Sequence, residues 1–208
     1  MKPLFSILLL SFFLGNFSYA SPVEGLLDSS TDRVVSPTHR HSDVRSIRGI
    51  DAILGAHHFV PSKIHWQQLM KMPGAVPYLE RVAKNNYAPL LLRQRALAGL
   101  AFMAAPSSIP MITSLVQNRQ EPIGVRASAA ESLATLRGSD AISELAPLLA
   151  HPKLRLREAV MRAFRHFRDA RALSELRAQL LKEKNSILIR TLRGLIAAHV
   201  SWMSGERK

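Results

Sequence analysis

The stretch Val125-Arg126-Ala127-Ser128-Ala129-Ala130-Glu131-Ser132-Leu133-Ala134-Thr135-Leu136 decides the fold. An arginine follows a β-branched residue, and small residues then lead to a pair of leucines. The same shape returns along the chain. Gln94-Arg95 leads to Leu100 and Phe102, Leu156-Arg157 to Phe164 and Phe167, and Ile189-Arg190 to Leu195 and Val200. The arginines stand at 95, 126, 157 and 190, in steps of 31, 31 and 33 residues. A constant step of this size marks an array of stacked units. A helical hairpin with apolar residues on two sides cannot shield both by itself, and stacking on a neighbour merges the exposed sides into one core.

Four units follow from the step: 74–106, 107–138, 139–169 and 170–200. Each opens with a helix whose apolar residues lie three or four apart, such as Val76 and Leu79, Ile112 with Leu115 and Val116, Leu145 with Leu148 and Leu149, and Leu173 with Leu176 and Leu180. A polar turn comes next: Asn85-Asn86, then 118–122, then His151-Pro152, then Lys184-Asn185. The arginine-bearing helix closes the unit. Pro106, Gly138-Ser139 and Asp169 mark the breaks. Ala98, Gly99, Ala129, Ala130, Ala159 and Gly194 let the second helices approach closely. No strand-like alternation runs through 42–204, so the sequence predicts an all-α fold, an α-solenoid of stacked antiparallel helical hairpins.

Working outward, residues 42–73 read as two capping helices over the end of the stack. The first carries Val44, Ile47, Ile50 and Leu54. The second opens at Ser62, carries Ile64, Leu69 and Met70, and stops at Pro73-Gly74. Trp66 and Trp202 bracket the array and read as residues that seal its last apolar layers; 201–208 is a tail. Residues 21–41 are rich in Ser, Thr, Pro, His and Arg and are expected to be a disordered linker. Residues 1–20 read as a secretory signal peptide: Lys2, an apolar run from Leu4 to Leu14, then Ser18-Tyr19-Ala20 as a cleavage site. The run is too short for a membrane span. An uncleaved anchor is the alternative. The expected location is periplasmic or secreted, without stable membrane insertion after cleavage.

At this point the residues resemble a known family. Val125-Arg126-x-x-Ala129-Ala130-x-x-Leu133 looks like the short HEAT repeat, above all the roughly thirty-residue form of the bilin-lyase-like HEAT proteins. The likeness covers about 74–200. It implies right-handed stacking of helical hairpins, second helices along a concave side, and a binding scaffold. In that family the arginine commonly pairs with an acid from the turn between helices. Here the turns offer Asn85, Glu121, His151 and Asn185, and only Glu121 is acidic. Arg95, Arg126, Arg157 and Arg190 are therefore expected to be structural, bonding backbone carbonyls at helix ends.

The formal net charge is +13, or +12 once Lys2 leaves with the leader, and favours acidic partners. The absence of cysteine excludes thiolate metal sites, thiol nucleophiles and disulfides. Charge is densest between Lys153 and Arg171, where seven cations face Glu158 and Asp169. On a helix, Leu156, Val160, Ala163, Phe164 and Phe167 gather on one side, while Arg155, Arg162 and His166 gather on the other with Arg165 between. That exposed stripe is the candidate partner-binding surface, because guanidinium groups suit carboxylates and phosphates. The opposing possibility is an ordinary solvated face. Nucleic acid is disfavoured, since Phe164 and Phe167 fall on the buried side and offer no platform for bases.

His39, His41, His57, His58 and His65 cluster early, but their spacing does not converge as zinc ligands do. No metal, cofactor or catalytic set is expected. The reading is a non-enzymatic, exported HEAT-like scaffold or adaptor for a protein or an acidic envelope polymer. An enzyme accessory or lyase-like HEAT protein is one alternative, and a nucleic-acid backbone binder is another.

Overall fold

The structure, a computed structural model, describes residues 48–55 and 61–205. The leader over 1–20, the linker over 21–41 and the start of the capping region lie outside the described residues, as do His39, His41, His57 and His58. The chain divides into two compact units, one ending at Ala75 and one beginning at Val76.

The first unit holds the helical stretch 48–55 (α1) and α2 (Lys63–Met70). α1 buries Ile50, Ile53 and Leu54. At the start of α2 the Ser62 backbone N–H donates to His65 Nδ1 at 3.0 Å, and the Ser62 hydroxyl lies 2.7 Å from the same nitrogen. The buried face of α2 is Trp66 and Leu69, whereas Ile64 and Met70 are 65% and 53% exposed. Ile64 and Met70 thus do not share the buried face with Leu69. At about 100° per residue those two positions sit well round the helix from Leu69, while Trp66 lies one turn before it.

In the second unit α3 (Ala75–Lys84, starting at the boundary) leads into α4 (Leu90–Phe102), and α5 (Ile109–Gln117) into α6 (Ile123–Arg137). α7 (Ile142–Leu145) runs on as a 3-10 segment, Ala146–Ala150, into α8 (Leu154–Phe164); α9 (Ala170–Leu180) leads into α10 (Ser186–Met203). No strand occurs among the described residues. α5 packs on α6 and α9 on α10, while α6 lies between α4 and α8, and α8 also meets α10. This is the all-α solenoid expected from the repeat step.

Burial follows position in the stack. α6 has a neighbour on each side and buries Val125, Ala127, Ala129, Ala130, Leu133 and Ala134. α10, the last helix among the described residues, buries only Leu188, Leu192 and His199. Small residues set the approach of α6 to α4: a Cβ on Gly124 would stand 2.7 Å from Gln94 Nε2 and 3.3 Å from Leu90 Cδ2. Phe164 and Phe167 are fully buried and meet edge to face at 4.9 Å. Each such side chain contributes about 1.5–3 kcal/mol by leaving water. Pro147 lacks an N–H to continue α7, and the backbone tightens into the 3-10 segment around it. Asp169 caps α9 by accepting the Arg171 N–H at 2.8 Å, and Asn185 caps α10 by accepting the N–H groups of Ile187 and Leu188 at 3.1 Å. Among the described residues no helix is long and apolar enough to cross a membrane.

Candidate functional site

The arginines at the starts of the second helices tie each of these helices to the first helix of its own hairpin. Arg126 Nε donates to the carbonyl of Val116 at 2.9 Å, and Arg93 Nε donates to the carbonyl of Ala83 at 2.8 Å, each ten residues back. Arg93, two residues before Arg95, is thus the counterpart of Arg126, and the steps become 33, 31 and 33 residues. Arg95 is itself buried, and loss of solvent lowers its pKa. Of the four arginines named from the sequence, Arg126 and Arg157 donate to backbone carbonyls, Arg157 reaching those of His151 and Pro152 at 2.8 and 3.1 Å, while in the first unit it is Arg93 that does so.

Two carboxylates complete this ladder. Arg93 Nη2 meets Glu121 Oε2 at 2.7 Å, with both side chains buried. Arg157 Nε and Nη2 meet the two oxygens of Glu183 at 2.9 and 3.1 Å. Burial pushes the Glu183 carboxyl up, but the Asn185 backbone N–H and Arg157 outweigh it and hold its pKa below the ordinary value. Glu183 escaped the sequence reading because the turn was placed at Lys184-Asn185; its position two residues before the capping Asn185 was the available signal. Arg190 is exposed with no partner among the described residues.

The basic face of α8 is less uniform than its sequence. Arg162 is held between Glu131 of α6 at 2.9 Å and Glu158 at 2.7 Å. Arg157 belongs to the ladder, and Arg171 pairs with Asp169 at 2.7 Å. Arg155 is exposed and meets no partner among the described residues. Arg165 follows the last residue of α8, and its Nε is buried without an acceptor among the described residues. His166 is exposed at its edge, yet crowding of its ring, then Arg165 and Arg168, holds its pKa below the usual imidazole value. Arg155 and Arg165 stand at opposite ends of the helix, roughly 15 Å apart along its axis.

Trp202 does not seal an apolar layer: it is 47% exposed, with the Arg168 guanidinium 5.8 Å from its ring centre. It lies in the last turn of α10. Trp66 is buried. Among the described residues no group of three or more His, Cys, Asp or Glu side chains is placed to hold a metal ion. A groove of about 580 Å³ runs between α7 with its 3-10 extension and α9, floored by Ala146, Pro147 and Leu149 and edged by Arg171, Glu175 and Lys182.

Consecutive helical hairpins stapled by repeat-spaced arginines define a HEAT-like array. Residues 119–196 match the family of HEAT repeats. Among solved structures the chain is similar to the complex of CpcE and CpcF of phycocyanin lyase from Nostoc sp. PCC7120. That likeness has a TM-score of 0.58 at 16% identity and covers 73% of this chain and 98% of the other. No curated relative matches the chain. The expectation of a non-enzymatic protein is corrected by this result. The fold is shared with a component of a lyase, so an array of this kind gives no ground for setting enzymatic roles aside.

Proposed function

We propose that the chain is a HEAT-like scaffold that docks a protein partner through the cationic surface of α8 and the turns beside it. The observation that carries this reading is the division of the α8 cations. Arg157 and Arg162 are consumed by internal carboxylates, while Arg155 and Arg165 are left without a counter-charge among the described residues. Cations fixed on a stapled array lose little entropy on meeting an acidic surface. The leader read from residues 1–20 supports placing the encounter in the cell envelope or outside the cell. Envelope polymers remain rivals to protein on that surface.

The test is crosslinking of the exported chain in its native compartment, followed by identification of what it holds. The double variant Arg155→Glu/Arg165→Glu should keep the helical signal and lose the partner. Retention of the partner by that variant overturns the reading.

A second reading makes the chain a component of a lyase-type enzyme, favoured by its likeness to the phycocyanin lyase complex over nearly the whole of that chain. Bilin attachment to phycocyanin, measured with and without this chain and its captured partner, discriminates the two.

A further inference from the structure

One rung of the arginine ladder lacks its acid. Arg93 faces Glu121 and Arg157 faces Glu183, but the turn that should serve Arg126 offers His151-Pro152-Lys153. Arg126 is only 4% exposed, and Val116 O accepts its Nε hydrogen. Its two Nη atoms donate to no group among the described residues, yet they are not sealed from solvent. No carboxylate lies within ion-pair distance among the described residues. A guanidinium held this far from water without a counter-charge is costly, because one backbone bond and residual solvent contact offset only part of its desolvation.

His151 shows why the rung is incomplete. Glu183 does two things at once: Oε1 accepts the N–H of Asn185, two residues on, at 3.0 Å, and Oε2 faces Arg157 Nε at 2.9 Å. His151 does the first alone. Its Nδ1 accepts the N–H of Lys153, also two residues on, at 3.1 Å. Asn185 and Lys153 are the residues that open the following helices. The imidazole proton therefore sits on Nε2, and the ring has no second acceptor for arginine. Arg119, exposed and without a partner among the described residues, adds a further cation. Burial and then Arg119 lower the pKa of Arg126; burial and then Arg126 lower that of His151.

We propose that the rung is completed from outside: the Nη hydrogens of Arg126 receive the carboxylate of an aspartate or glutamate side chain on a protein partner, with Arg119 as the second cation. The slot suits a carboxylate because its two counterparts hold one, at 2.7 and 2.9 Å, and the planar guanidinium fork matches that group. The partner's identity as a protein rests on the scaffold reading above.

The test follows the Arg126 Nε–H and His151 ring signals of the full chain by NMR. The probe is N-acetyl-glutamate N-methylamide, with the glutamine analogue, sodium chloride and inorganic phosphate as comparisons. The glutamate derivative should shift both signals saturably, and the glutamine analogue and chloride should not. His151→Glu supplies the acid from within, so it should raise the thermal midpoint and abolish the shift at Arg126. The proposal is overturned by an Arg126 signal that ignores the glutamate probe, by an equal response to phosphate, or by a shift that survives His151→Glu. A chain that takes the probe but holds no protein loses the scaffold reading and keeps the site. A partner captured undiminished by His151→Glu removes this site and leaves the scaffold reading standing.

Discussion

Ala104 turns out of α4 at φ 49°, the left-handed region, so that the N–H of Ala105 can reach the carbonyl of Leu100 at 3.2 Å. A β-carbon in that region costs about 1–2 kcal/mol, which glycine avoids at the expense of a freer unfolded chain. Ala104→Gly should therefore stabilise the fold by about 0.5–1 kcal/mol, read as a higher urea midpoint with an unchanged slope. The neighbouring break uses glycine already, at Gly138 with φ 55°. The same scale shows where the sequence misleads. Arg93 and Arg95 lie two apart, and both are buried. A pattern built on a β-branched residue before arginine could not choose between them, because the choice is made by the carbonyl of Ala83, a contact outside the helix.

Between elements, two rungs of the ladder tie a turn to the second helix of the hairpin before it, Glu121 to Arg93 and Glu183 to Arg157. Glu121 stands two residues before α6 begins, yet its partner Arg93 is on α4. Glu121→Ala should cost about 3–5 kcal/mol, because it strands the Arg93 guanidinium in a buried site. Replacing both partners with apolar residues of similar volume should recover most of that loss, and chemical denaturation of the two variants checks the difference. At the Arg157 rung the folded pKa of Glu183 lies below its unfolded value. The stabilisation is therefore complete above the ordinary glutamate pKa and is lost as pH falls through the depressed folded value. Acid unfolding of the native chain compared with Glu183→Gln checks this: the variant should be less stable at neutral pH and should lose less between neutral and acid. The elements themselves were largely legible. Spacing of apolar residues located the helices, and Asp169 and Asn185 announced two helix starts. The broken first helix of the third hairpin and the acid at Glu183 were hidden, since each depends on which backbone group a side chain finally faces.

Across the whole molecule, 28 Lys and Arg meet 15 Asp and Glu, and the ion pairs among the described residues engage six acids with five arginines, since Arg162 takes two. Glu121, Glu131, Glu144, Glu158, Glu183 and Asp169 are all committed to partners in the folded chain. The cations left over on the surface are consequently less screened by neighbours than composition alone suggests. The repeat step exposed the fold because periodicity survives substitution, but it could not say which arginines of a basic helix are already spoken for. Arg162 is the case in point. Reversing it tests stability, not docking: Arg162→Glu would set a third carboxylate between Glu131 and Glu158, whose side chains are 36% and 46% exposed. Two partly solvated pairs are lost and like charges are brought together, so the fold should lose about 1–2 kcal/mol. Added salt should narrow the gap to the native chain, because screening weakens the new repulsion. Arg155→Glu, where no internal pair is broken, should leave the denaturation midpoint almost unmoved. Equal stability of the two variants would mean that Arg162 is not engaged by its two neighbours, and the division between committed and available cations on α8 would have to be redrawn.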